Sequence, residues 1–540
     1  MQEQKLQVIE GKATLRVIQA DLEDGRVLGT VALCSDSPSG SQVFSLRVQA
    51  SAWCFRGDWV LLEPGREVFT KEIGHLSADE QWVDFVFELP EFAAPTTAIV
   101  RLTVIPDLTN TNLQVEQEAA EVYYTYRDPK VQSPLSAYTD RKAAAQRTRR
   151  IIYNNDGNDN PSLPVTPISF LQRRTLGLEY TQVDTISYCT GIFNLYTHHS
   201  DETELHYSTG STPPEAVSWA LLLKEQGFDP LQLMIDYARV HGKEIWWSMR
   251  MNDTHDNQAK REDWQLSQWK REHRHLLMAP VRTQFPYGWQ AGPSWTYTAL
   301  NYEHEEVRNK VYSIIADVCT RYDLDGIELD FFRHPVFFRP QMFGEPVTDE
   351  QRGLMTDLLR RIRDLTEEIA KERGRPFLVV VRVPDSVGYA KEIGLDVVEW
   401  LEQDLVDIII AAGIFRLEPW ENSVDLGRRY DVPVYASLST SRLGGYLEVW
   451  REEALQAWEA GCSGIATFNV FQPNSPLLRQ LGDPGLLRNL PRTTSYSVDE
   501  DIMRSLRSIS SFLKGGERFL DPAVAALYPP EAVAEILAGP

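Results

Sequence analysis

Hydrophobic and polar positions alternate with a period of two through residues 5 to about 126. Runs such as QWVDFVFELP and TTAIVRLTVIP are separated there by turn residues. This rhythm predicts an antiparallel β-sandwich over 1–126, because every second side chain faces a core. The following DPKVQSPLSAYTDRKAAAQRTRR is polar and proline-containing, then basic, and reads as a linker over 127–149. From residue 150 the pattern changes. The runs RRIIYNN, DTISYCTGIFN, KEIWWSMRMN, LDGIELDFF, PFLVVVRVP, VDIIIAAG, VPVYASLS and SGIATFN alternate with amphipathic segments such as HEEVRNKVYSIIADVCTRY and TDLLRRIRDLTEEIAKER. Eight strands with helices in most gaps predict a closed (β/α)8 barrel over 150–492. An open doubly wound sheet comes second, since no glycine-rich turn follows the first strand. Residues 493–540 predict one helix, VDEDIMRSLRSISSFLKGG, and a Pro- and Ala-rich tail. The expected fold class is therefore α/β: a TIM barrel with an N-terminal antiparallel β-sandwich and a short helical C-terminal tail.

The 540 residues, 43% hydrophobic, are enough for two or three domains. The formal charge of -23 repels a polyanion, so nucleic acid is not an expected partner. Cys34, Cys54, Cys189, Cys319 and Cys462 show no C-x-x-C spacing, which argues against a zinc cluster or a disulfide scaffold and leaves one pair, Cys34 with Cys54, open. No stretch approaches the roughly 18 to 20 apolar residues of a membrane span. MQEQKLQ lacks the basic and apolar regions of a signal peptide. The expected location is cytoplasmic, or secreted or periplasmic if Met1 replaces a removed leader. No pattern specifies an oligomeric state.

Barrels of this kind carry their chemistry at the carboxyl ends of the strands. Here those ends are polar. The first gives Asn154, Asn155 and Asp156; the third Arg250, Asn252, Asp253 and His255; the fourth Glu328 and Asp330, with Arg333 and His334 beyond. The fifth gives Arg382 and Asp385, the sixth leads to Arg416 and Glu418, the seventh ends in Ser437 and Ser439, and the eighth in Asn469 and Gln472. Glu328 and Asp330 share strand parity, so both should point into the barrel mouth. Paired carboxylates suit acid/base and nucleophilic work on a glycosidic bond. The structural alternative is that Glu328 pairs with Arg250 or Arg382 to close the core. The long segment 254–302 concentrates Trp264, Trp269, Tyr287, Trp289, Trp295, Tyr297 and Tyr302. These rings either stack on sugars or form the loop's own small core.

DGNDN, residues 156–160, spaces Asp156, Asn158 and Asn160 as a calcium loop begins, but no acidic residue closes it. It reads as a polar turn, with a structural calcium as the alternative and no other cofactor or metal expected. His198, His199 and His206 lack H-E-x-x-H spacing and read as an exposed loop.

Residues 298–335, TALNYEHEEVRNKVYSIIADVCTRYDLDGIELDFFRHP, resemble the barrel core of glycosyl-hydrolase-like family 10 proteins. The matching positions are Glu306-Val307-Arg308, then Tyr322-Asp323-Leu324-Asp325-Gly326-Ile327, with Asp330 at the strand-end acidic position. A weaker likeness to the family 18 chitinase motif aligns Asp325, Glu328 and Asp330. Phe332 stands where that family has its catalytic acid, so its chemistry is not carried over. Asp330 also fits the place of the nucleophile in retaining α-glycosidases, whose acid comes from a later strand, where Asp385 or Glu418 would serve.

The reading is a glycoside hydrolase acting on a poly- or oligosaccharide. Asp330 is expected as nucleophile or base, and Glu328, Glu418 and Asp385 are candidates for the acid. Asn155, Asp156, Arg250, Asn252, Asp253, His255, Trp289, Trp295, Arg333, His334, Arg382 and Asn469 are expected to hold substrate. The alternatives are a non-catalytic carbohydrate-binding barrel, or a polysaccharide lyase or deacetylase on the same fold.

Overall fold

The computed structural model describes residues 132–528 apart from 162–164, 166, 207–217, 258–264, 284, 287–295, 445, 474 and 495–516, together with residue 533 and eight strands before residue 107. Those eight strands pair antiparallel in two sheets. Ala13–Glu23, Arg26–Ser35, Thr97–Pro106, Phe55–Glu63 and Arg66–His75 follow one another across the larger sheet; Lys5–Val8, Gln42–Gln49 and Trp82–Leu89 make the smaller. How the two sheets face each other, and the helix expected after residue 497, lie outside the described residues.

Eight parallel strands close into a barrel in chain order: β1 (Ile151–Asn155), β2 (Val183–Cys189), β3 (Glu244–Arg250), β4 (Gly326–Asp330), β5 (Leu378–Val383), β6 (Ile408–Ala411), β7 (Val434–Ser439) and β8 (Gly464–Phe468). Seven fall within the runs expected from the sequence, and β2 starts one residue before its run. Two helices show how the gaps are filled. Glu305–Arg321 buries Val307, Val311, Ile314, Ile315 and Val318, a stripe at helical spacing, against the sheet. Asp349–Arg373 begins with a capping box in which Thr348 and Gln351 satisfy each other's backbone N–H groups, and ends at Gly374 with φ 67°. No helix of the described residues is long and apolar enough to cross a membrane.

The barrel interior is apolar below and polar above. Ile152, Trp246, Leu378, Val380, Ile408, Ile410, Tyr435 and Ala466 form one buried cluster with Leu135, Ala144 and Ala145. The last three come from 132–149, the stretch read from the sequence as a linker. It packs under the barrel because charges hidden in its polar sequence find partners at the amino ends of the strands. Ser133 donates to Asp325, Arg141 pairs with Asp407, and Arg149 binds Glu244 at 2.6 and 2.9 Å. Arg149 and Glu244 are both fully buried.

Candidate active site

Moving up β1, β3, β5 and β7, the inward position changes from apolar to polar: Ile152 to Asn154, Trp246 to Ser248 and Arg250, Val380 to Arg382, Tyr435 to Ser437. Several of these polar atoms have no hydrogen-bond partner: Asn154 Oδ1, Ser437 Oγ, and Arg382 Nε and Nη1.

The loop after β1 is a polar turn. Asn155 accepts from Gly157 N at 3.0 Å and donates to Asp159 at 2.9 Å, and Asp159 also accepts from Tyr188 at 2.9 Å. Asp156 is ion-paired with Arg174, and Arg250 lies 3.9 Å away. Burial pushes the Asp156 carboxyl up, but Arg174 and Arg250 outweigh it and hold it below the usual range. The charge a calcium ion would need is thus engaged by guanidinium groups, while Asn160 donates to Asn158 within the turn.

After β3, Asn252 is a staple. Its side chain bonds the backbone of Leu300 and Val336, joining two loops. Asp253 takes Arg250 on one oxygen at 2.9 Å and His255 on the other, through both the backbone N–H at 2.8 Å and Nδ1 at 2.7 Å. Burial raises the Asp253 carboxyl, and the hydrogen bond from His255 and the charge of Arg250 hold it well below the usual range. Burial pushes both histidines down, His334 far down.

Asp253, His255 and His334 bring potential ligand atoms within 4.8 Å of one another. Their protons argue against a metal. His255 Nδ1 faces a carboxylate and so carries the hydrogen, while its Nε2 accepts from Arg333 at 2.8 Å. His334 Nδ1 accepts the Thr254 backbone N–H at 3.1 Å, which puts the proton of the neutral ring on Nε2. A guanidinium therefore already sits on the lone pair that a cation would use.

On β4, Glu328 and Asp330 both face inward, as their parity requires. Glu328 is completely buried, accepting from Ser187 at 2.8 Å, Ser248 at 2.9 Å and Arg382 at 2.9 Å. Burial raises its carboxyl, with Asp330 adding to the rise and Arg382 and the serines opposing it. Asp330 Oδ1 accepts the N–H groups of Phe332 and Arg333, both at 2.9 Å, and Oδ2 lies 3.8 Å from Arg382 Nη1. One strand over, Asp385 receives Leu417 N at 2.8 Å and Glu418 N at 2.9 Å. Burial lifts its carboxyl to about 6, against the pull of those N–H groups and Arg416. Glu418 accepts from Asn422 along the following helix, and Asn469, at φ 59°, reaches Ser441 at 3.4 Å. Asp325, aligned with a chitinase acid by sequence, lies at the opposite, amino end of β4. It binds Arg239 there at 2.6 Å and Ile245 N at 2.9 Å.

Residues 184–352 match the family model of glycosyl hydrolase-like 10. The match runs from β2 past β4 and contains the 298–335 segment and Asp330. No curated protein matches. Among solved structures, the chain is similar to a Paenibacillus cycloisomaltooligosaccharide glucanotransferase in complex with cycloisomaltoheptaose (12% identity, 76% of this chain and 52% of that one, TM-score 0.35). It therefore spans about half the length of that enzyme. It is also similar to a glycoside hydrolase family 18 N-acetylglucosaminidase from Paenibacillus barengoltzii (13%, 63% and 100%, TM-score 0.34). A third similar structure is a family 36 α-galactosidase from Geobacillus stearothermophilus in complex with 1-deoxygalactonojirimycin (9%, 91% and 74%, TM-score 0.35).

Of the aromatic residues concentrated in 254–302, Trp264, Tyr287, Trp289 and Trp295 lie outside the described residues. Trp269 stacks on His273 at 4.6 Å and meets Phe193 edge-on at 5.2 Å, packing against the main barrel core, whereas Tyr297 packs with Met278, Phe285, Val336 and Met342 in a small core of the loop itself. His198 and His206, expected in an exposed loop, are instead buried. Sequence reasoning missed Arg174, Ser187, Ser248 and Phe468. The serines carried a readable signal: each breaks an apolar strand at the inward position two residues before its end. Arg174 and Phe468, which lies 4.6 Å from the Arg382 guanidinium, carried none.

Proposed function

We propose that the protein is a glycoside hydrolase that cleaves a poly- or oligosaccharide at the carboxyl-terminal end of its (β/α)8 barrel, with a β-sandwich preceding the barrel. The observation that carries this reading is the contrast between two carboxyls at the ends of neighbouring strands: Asp330, the last residue of β4, anchored by backbone N–H groups beside Arg382, and Asp385, just beyond β5, buried and lifted to about 6. Two carboxyls driven into different environments suit the division between nucleophile or base and acid. Asp330 attacks the anomeric carbon or deprotonates the attacking water. Asp385 gives its proton to the leaving oxygen as the carbon–oxygen bond breaks, and one water is consumed overall. Glu418, turned toward Asn422, ranks behind Asp385. Arg250, Asp253, His255, Arg333 and His334 form the polar wall that holds sugar hydroxyls, and no cofactor enters the reaction. The glycosyl hydrolase-like 10 match over the strand carrying Asp330 supports the same class.

The test is a polysaccharide panel with reducing-end detection, comparing the unaltered protein with Asp330→Asn. Cleavage lost in the variant is expected. Binding without cleavage by the unaltered protein would instead favour a carbohydrate-binding barrel.

A further inference from the structure

Glu328 looks at first like the natural partner of Asp330, two positions away on the same inward face. Its surroundings assign it another task. A proton donor must come within about 2.6–3.2 Å of the oxygen it serves, yet both Glu328 oxygens are enclosed inside the closed sheet by β2, β3 and β5, held by Ser187, Ser248 and an ion pair with Arg382. Asp385, bound by loop N–H groups, lies instead beyond its strand end. Arg382 is held with equal care. Nη2 is on Glu328, and the guanidinium lies 4.6 Å from the Phe468 ring. Nε and Nη1 have no hydrogen-bond partner, and Nη1 is directed at Asp330 Oδ2 across 3.8 Å. Since Oδ1 of Asp330 is taken by Phe332 and Arg333 N–H, Oδ2 is the oxygen left for chemistry.

We propose that Glu328 and Arg382 are positioning residues for Asp330: Ser187, Ser248 and Glu328 fix the guanidinium, and its open Nη1 steers Oδ2 toward the reacting centre. This rests on reading Asp330 as the attacking or water-activating carboxylate. The charged groups acting on Asp330 are Arg382, Glu328, Arg250 and Arg333. Of these, Glu328 is the one that offsets Arg382 directly.

Glu328→Gln is the informative variant, because glutamine can accept from Ser248 and Arg382 through Oε1 and donate to Ser187 through Nε2, keeping the shape. The first measurement needs no activity. Thermal unfolding of Glu328→Gln, Asp330→Asn and the double variant should be non-additive by about 2 °C or more if one guanidinium serves both carboxylates. Additive shifts would overturn the proposal whatever the protein hydrolyses. The second uses an oligosaccharide that the unaltered protein cleaves and an aryl glycoside of the same sugar with an activated leaving group. In Glu328→Gln, kcat should fall about tenfold or more on both, and the acid limb of kcat/KM should move to lower pH as Arg382 loses its counter-charge. Glu328→Asp should recover part of the rate. Restoration of Glu328→Gln by the activated leaving group would make Glu328 the proton donor and refute the positioning role. Full activity of Asp330→Asn would refute the hydrolase reading of Asp330, and it is distinguishable because the unfolding cycle stands apart from it.

Discussion

If Asp385 is the proton donor, its environment sets where activity ends on the alkaline side. The perturbation is pH. Burial lifts the carboxyl from its ordinary value near 4 to about 6, opposed by Leu417 and Glu418 N–H and by Arg416. A general acid works only while protonated, so kcat/KM should fall above about pH 6, approaching tenfold per pH unit, or roughly 50-fold between pH 6 and 8. The same shift has a sign in stability. A carboxyl raised on folding contributes fully below its unfolded value near 4, and the contribution is lost as pH rises through about 6. About two units correspond to about 3 kcal/mol. The assay is kcat/KM from reducing-end release across pH 4–9, with thermal unfolding over the same range. Asp385→Asn should lose about 10²–10⁴ in rate, regain much of it on a substrate with an activated leaving group, and lose the alkaline limb and its part of the stability slope. A rate flat from pH 6 to 8 in the unaltered protein, or an Asp385→Asn variant that keeps its alkaline limb, would refute the assignment.

Two further predictions concern the frame around the site. Arg149→Met removes the closer of the two guanidinium partners of the buried Glu244, at 2.6 Å, and leaves Arg147 at 3.2 Å, so it should cost somewhat less than the about 3–5 kcal/mol of a fully broken buried pair; adding Glu244→Gln should recover most of the loss, as read by denaturant unfolding. Zn²⁺ or Ni²⁺ should leave the Tm of the unaltered protein unchanged, since Arg333 occupies His255 Nε2. Arg333→Gln should weaken that competition and give a metal-dependent rise in Tm, and a rise of equal size in the unaltered protein would contradict the proton arrangement argued for the histidines.

The sequence by itself determined the number of barrel strands, their order and which side chains face inward. Those follow from local periodicity, and parity alone put Glu328 and Asp330 on one face. Polar residue types at the strand ends also marked the end of the barrel where its interior turns polar. What only the tertiary structure decided was the partner of each charge. Asp325 and Glu328 are both acids on one short strand, yet one binds Arg239 beneath the barrel and the other is sealed among Ser187, Ser248 and Arg382. The stretch 132–149 looked like a linker because its arginines and serine are polar in isolation; they become a plug only when Glu244, Asp325 and Asp407 gather at one end of the closed sheet. Asp385 acquires its raised carboxyl in the same way, from burial against a loop that follows the next strand. Periodicity is a property of neighbours in the chain, whereas desolvation and charge pairing belong to neighbours in space, many of them dozens of residues away or more.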